Sequence, residues 1–245
     1  MQIKIGYLYP DLMNIYGDHG NVLTLVKRCQ WRGIAVEVVA LNPGDRIGHG
    51  EYDIFFMGGG QDREQVMVCR DLQEAKGEDI KREIEEGAAA LVICGGYQLF
   101  GNFYRPFEGE ELPGISVFDA YTVAGKKRCI GNVVAKSALG GKLGTVVGFE
   151  NHSGKTYLGD GCAPLGTVTV GYGNNGEDKT EGATYRGAIG TYLHGSLLPK
   201  NPAVADFLIE KALARRGNDI SLEGLDDSLE LAAHAAAVKR AVKTH

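Results

Sequence analysis

Residues 89–98 read Ala-Ala-Leu-Val-Ile-Cys-Gly-Gly-Tyr-Gln, and their reading decides the fold. An apolar run stops at Cys94, and two glycines follow before a segment that can start a helix. A buried strand that ends in a cysteine and turns through residues without β-carbons lifts the thiol onto the rim of a sheet. The same turn aims backbone N–H groups at whatever the sulfur attacks. These residues also suit a structural cysteine packed beside a glycine turn, because free cysteines are often buried. The rest of the chain favours the first reading.

Upstream, strand-like and helix-like segments alternate. Residues 3–9, 34–41 and 53–57 read as strands, and the last runs straight into Gly58-Gly59-Gly60. Residues 21–31 carry Val22, Leu25, Val26 and Cys29 at helical spacing. A helix capped at Asp62 follows, then another over 77–86 with an acidic start and one apolar seam. This alternation predicts an α/β fold, a mostly parallel open sheet flanked by helices. Between 112 and 193 glycine becomes dense and the β-branched runs short: 115–118, 121–123, 130–134, 145–149, 166–170 and 188–193. They predict antiparallel strands or hairpins packed on the same sheet rather than further βαβ units. Residues 201–215 form an amphipathic helix with Pro202 in its first turn, and the alanine-rich 226–242 a second, packed as a C-terminal hairpin. The expected organisation is one domain over 1–210 with a helical extension, 211–245, packed on it.

Composition bounds the function. With 245 residues, 44% hydrophobic and 23% charged, the chain can bury a real core. A net charge of −5 argues against nucleic acid as the main partner. No run approaches the ~18 apolar residues of a membrane span, and the N-terminus reads as a first strand rather than a secretion signal. The five cysteines are widely spaced without a CxxC pair, so neither a disulfide framework nor a metal site is signalled. A reducing cytoplasm is the expected setting.

A cysteine hydrolase needs a base. Of six histidines, His245 is terminal, His49 lies in a polar loop and His234 faces out of an alanine helix. His194 instead ends the apolar run 188–193 and precedes Gly195-Ser196, which brings it to the same sheet edge as Cys94. A satisfied core histidine is the competing reading. Backbone N–H groups of Gly95 and of the 58–60 turn would hold an oxyanion.

These residues carry a resemblance. Cys-Gly-Gly-Tyr-Gln at 94–98, the glycine turn at 58–60 and Tyr-Leu-His-Gly at 192–195 resemble a class I glutamine amidotransferase, with its flavodoxin-like fold, of the cobyric-acid-synthase-like branch. Asn-Ile-Tyr-Gly-Asp-His-Gly-Asn at 14–21, Gly-Gly-Gly-Gln-Asp-Arg-Glu-Gln at 58–65, Arg-Cys-Ile-Gly-Asn at 128–132 and Gly-Phe-Glu-Asn-His-Ser-Gly at 148–154 are similar to the glutaminase subunits of lipid II isoglutaminyl synthases. The resemblance spans about residues 1–210 and leaves the C-terminal helices without a motif.

The resemblance implies hydrolysis of glutamine to glutamate and ammonia, with Cys94 as nucleophile and His194 as base. It implies Arg128 as the partner of the substrate's carboxylate, Gly95 with Gly59 or Gly60 around the oxyanion, and Gln98 near the substrate. It further implies a Mur-ligase-like partner subunit that holds ATP and magnesium and amidates D-glutamate of lipid II at the inner membrane face; no cofactor is expected in this chain. Two departures stand out. Ser196 occupies the position where many relatives carry the glutamate that orients the histidine, and Val92 stands where many have glycine. A Cys–His dyad, or a carboxylate from elsewhere, would then serve. Asp18 and Asn21 are read as shaping the first helix's start, and His152 as either near the substrate or structural. An amidotransferase acting on a corrinoid carboxylate and a non-catalytic scaffold are the alternatives; no P-loop GxxxxGK[ST] is present.

Overall fold

The computed structural model describes residues 1–139, 144–217 and 221–244. Its first sheet contains β1 (Gln2–Leu8), β2 (Ala35–Leu41), β3 (Ile54–Met57) and β4 (Ala89–Ile93). The apolar runs Ile-Phe-Phe-Met and Ala-Ala-Leu-Val-Ile are buried at every position, as central parallel strands covered on both faces must be. Between these strands come α1 (His19–Trp31), α2 (Asp62–Asp71) and α3 (Gly77–Glu85), the last two joined by a π-helical turn at Leu72–Lys76. The helix expected to be capped at Asp62 starts there, with Gln61 in the cap position. After β4 comes the six-residue α4 (Gly95–Phe100).

The glycine-dense region folds into β5 (Phe103–Arg105), β6 (Leu112–Pro113), β7 (Ala120–Ser137), β8 (Thr145–Leu158), β9 (Gly166–Val170), β10 (Thr180–Glu181), β11 (Ala183–Tyr185) and β12 (Ala188–Thr191). The first sheet runs β11-β12-β4-β3-β1-β2, parallel except for β11. The other strands do not join it. They make a second sheet, β10-β9-β7-β5-β6, with β8 paired to β7. The reason is length: β7 and β8, 18 and 14 residues long, satisfy each other as an antiparallel pair, while the three-residue β11 closes the first sheet's edge.

Two expectations are corrected. Residues 115–118 form no strand; the N–H groups of Ile115, Val117 and Phe118 donate to the carbonyls of Leu99 and Phe100 and so finish the C-terminal end of α4. The C-terminal helices α5 (Pro202–Arg215) and α6 (Ser228–Thr244) make no hairpin. Helix α5 packs on α1, β3 and β4, whereas α6 lies on β7 and β8 over a small cluster of Val134, Val147 and Ala241. A bridge joins β8 to the segment that follows β12, where the His194 N–H donates to the Phe149 carbonyl at 2.7 Å.

Candidate active site

Cys94 ends β4 with φ 52° and ψ −107°, a conformation L-residues rarely adopt and one that the surroundings must impose. Its N–H donates to the Thr191 carbonyl at 2.8 Å, and its carbonyl accepts from the Gln98 N–H at 3.0 Å. The helix therefore starts at Gly95, two residues earlier than the sequence suggests. The glycines are required by close approach: a β-carbon on Gly95 would lie 2.4 Å from Gln65 Nε2, and one on Gly96 2.9 Å from the Gly58 carbonyl.

His194 follows β12 and is 1% exposed. Its imidazole is electrostatically coupled to the side chain of Cys94, and its Nδ1 stands 3.5 Å from Asp18 Oδ1. Asp18 is fully buried, and its other oxygen accepts the Gly59 N–H at 2.9 Å. The carboxylate facing the histidine thus comes from 176 residues away. Asp18 occupies the cap position of α1, as the sequence suggests, but makes no side-chain cap bond there. Ser196, where a glutamate was missed, donates its Oγ to the Gly17 carbonyl at 2.8 Å; it ties down the loop that carries Asp18. Burial lowers the imidazolium's pKa, but the interactions with Cys94 and Asp18 outweigh it and push the value up to about 10.

The thiol opens into a cavity of about 680 Å³ that Cys94 and Arg128 both line. Arg128 leaves β7 where its pairing with β8 shifts register, and its Nε donates to Asn151 Oδ1 at 2.7 Å. Gln98 lies in the wall with both ends engaged: Oε1 accepts from Gln65 Nε2 at 2.8 Å, and Nε2 donates to the Tyr192 hydroxyl at 3.1 Å. That hydroxyl continues to Thr156 and Thr122 at 2.7 Å each. His152 also lines the cavity, stacked on Tyr192 with ring centres 3.6 Å apart. Its Nδ1 is 2.8 Å from the Gly154 carbonyl and its Nε2 3.5 Å from Glu150. Gly60 N lies 3.2 Å from where a Gly95 β-carbon would sit, while the Gly59 N–H is already engaged by Asp18.

The other histidines stay outside this cavity. His234 is not a solvated side chain: its ring nitrogens sit 2.8 Å from Thr145 Oγ1 and from the Lys200 carbonyl. His49 is exposed beside Glu83 and Glu86, the one three-ligand cluster among the described residues, where the Arg215 guanidinium already neutralises Glu83 at 2.5 Å. His245 lies outside the described residues.

Residues 4–202 match the CobB/CobQ-like glutamine amidotransferase domain. The chain is 43% identical to the lipid II isoglutaminyl synthase (glutamine-hydrolyzing) subunit GatD of Staphylococcus aureus, over 98% of this chain and 96% of that protein. It is 40% identical to the subunit of the same name from Streptococcus pneumoniae, over 93% of this chain and 87% of that one. Similarity to the cobyric acid synthase of Pelotomaculum thermopropionicum is 32% over 47% of this chain and 24% of that protein. Among solved structures, a glutamine amidotransferase from Thermotoga maritima superposes with a TM-score of 0.55 at 15% identity over 99% of both chains. The glutaminase domain of Trypanosoma brucei CTPS does so at 0.51 and 13% identity, over 90% of this chain and 96% of that one. At these identities the structures speak for the fold alone.

Proposed function

The chain belongs to the CobB/CobQ-like glutamine amidotransferase family, and we propose that it is the glutaminase subunit of a lipid II isoglutaminyl synthase. One observation carries this reading: Cys94, backed by the buried pair of His194 and Asp18, opens into a cavity that Arg128 also lines.

In the proposed reaction, Arg128 pairs with the α-carboxylate of free glutamine. His194 takes the Cys94 proton, and the sulfur attacks the side-chain amide carbon. The oxyanion is held by the N–H groups of Gly95 and Gly60, the Gly59 N–H being engaged by Asp18. His194 returns its proton to the leaving nitrogen, so ammonia departs and a glutamyl thioester remains. Water, deprotonated by His194, cleaves the thioester and releases glutamate. Asp18 keeps the imidazole oriented throughout.

The ammonia passes to a partner subunit. We take that subunit to be Mur-ligase-like, with ATP and magnesium that activate the α-carboxyl of D-glutamate in lipid II to give D-isoglutamine. This chain carries no P-loop, and no helix among its described residues is long and apolar enough to cross a membrane. Contact with lipid II at the cytoplasmic membrane face is therefore assigned to the partner. A corrinoid acceptor is less well supported, since the similarity to cobyric acid synthases covers only a quarter to a third of those proteins.

Glutamate release and the mass of lipid II, measured for the complex of the chain with its partner, test the reading. Cys94→Ala and His194→Ala should abolish both glutamate release and amidation from glutamine, while added ammonia restores amidation. Release that survives the cysteine substitution would reject the thioester route. Arg128→Ala should raise KM for glutamine at least about tenfold with the fold intact; an unchanged KM would reject its role.

A further inference from the structure

The carboxamide of glutamine brings into the cavity an oxygen that needs donors and an NH2 group that needs acceptors. Two side-chain carbonyls of the wall already accept a hydrogen bond: Asn151 Oδ1 from Arg128, and Gln98 Oε1 from Gln65. Gln61 is solvent-exposed. Gln65, on α2, remains. It is 2% exposed and lines the cavity. Its amide presses on Gly95, the residue after the nucleophile, so closely that a β-carbon there would lie 3.1 Å from its Cδ. One N–H of its amide donates to Gln98 Oε1, and one N–H of Gln98 donates to the Tyr192 hydroxyl. The acceptor that Gln65 can offer a ligand is its carbonyl oxygen, which takes no part in the bond to Gln98.

We infer that Gln65 is a substrate-recognition residue whose carbonyl accepts an N–H of the glutamine carboxamide. The inference rests on the glutaminase reading and deepens it. An acceptor at this point separates substrate from product, because glutamate presents a carboxylate oxygen where glutamine has NH2, and two acceptors then face each other. Gln65 selects glutamine on entry and disfavours glutamate after hydrolysis.

The test uses the full chain with Cys94→Ala, which cannot turn over, titrated calorimetrically with L-glutamine and with L-glutamate. With Gln65 intact, glutamine should bind more tightly. Adding Gln65→Met, of similar length and without an acceptor, should weaken glutamine about tenfold and leave glutamate within about twofold. An equal loss for both ligands, or no loss for either, would overturn the inference, since a residue that only props Gln98 would not discriminate between them. Gln65→Glu keeps an acceptor at the same reach and should still favour glutamine; lost preference would count against the assignment. A second measurement guards against misfolding. In the chain that retains Cys94, 6-diazo-5-oxo-L-norleucine has a ketone and no carboxamide nitrogen, so Gln65→Met should leave its rate of alkylating Cys94 unchanged; slowing by the factor seen for glutamine would overturn the assignment. Should the Cys94→Ala chain with Gln65 intact bind no glutamine, the glutaminase reading itself fails, a result distinct from these.

Discussion

Asp18 shows what a single residue decides here. Nothing in its sequence spacing pairs it with His194, since the contact spans 176 positions and is made by a loop folding over a strand end. The sequence signal was present only as the motif at 14–21, where the local role of an aspartate before a helix is the simpler reading. In the structure Asp18 raises the affinity of His194 for its proton. Asp18→Asn removes that charge, so the His194 pKa should fall from about 10. Imidazolium is the form that protonates departing ammonia, and it is lost as pH rises through this pKa. The alkaline limb of the glutaminase profile should therefore move to lower pH, with kcat reduced on the order of tenfold to a hundredfold. A pH–rate profile of the partner complex measures both, and an unmoved limb would show that Asp18 does not govern the base.

At the scale of elements, the central strands were legible because apolar runs such as 89–93 admit no exposed face. The arms of the second sheet were not. Residues 121–123 and 130–134 read as separate strands because Gly125-Lys126-Lys127-Arg128 looks like a polar turn. It is instead the place where one strand shifts register and presents Arg128 to the cavity. The alanine-rich α6 has no marked apolar face, so its docking on the second sheet could not be read from periodicity. Its approach is fixed by Arg28 of α1, 1% exposed, which pairs with Asp206 of α5 at 2.7 Å and with Asp227 just before α6 at 2.5 Å. A buried guanidinium is favourable only while both carboxylates face it. Arg28→Met should lower stability by about 3 kcal/mol, read as a lower urea midpoint, with kcat of the folded fraction unchanged. An unmoved midpoint would mean that these pairs hold nothing together.

For the whole molecule, the site exists because two sheets meet. The parallel sheet supplies the strained thiol and the glycine turns, and the antiparallel sheet supplies Arg128, Asn151 and His152. His194 lies at the bridge between them. Cys94 and His194 were legible as candidates because each follows an apolar strand, whereas the cavity's far wall belongs to a layer that local sequence patterns do not reveal. The central claim is that Cys94 forms a glutamyl thioester on glutamine. Acid-quenching the partner complex during turnover, followed by peptide mass analysis, tests it most directly. The account predicts a glutamyl adduct on the peptide containing Cys94 and none on Cys29, Cys69, Cys129 or Cys162; glutamate release with no adduct, or with an adduct on another cysteine, would contradict it.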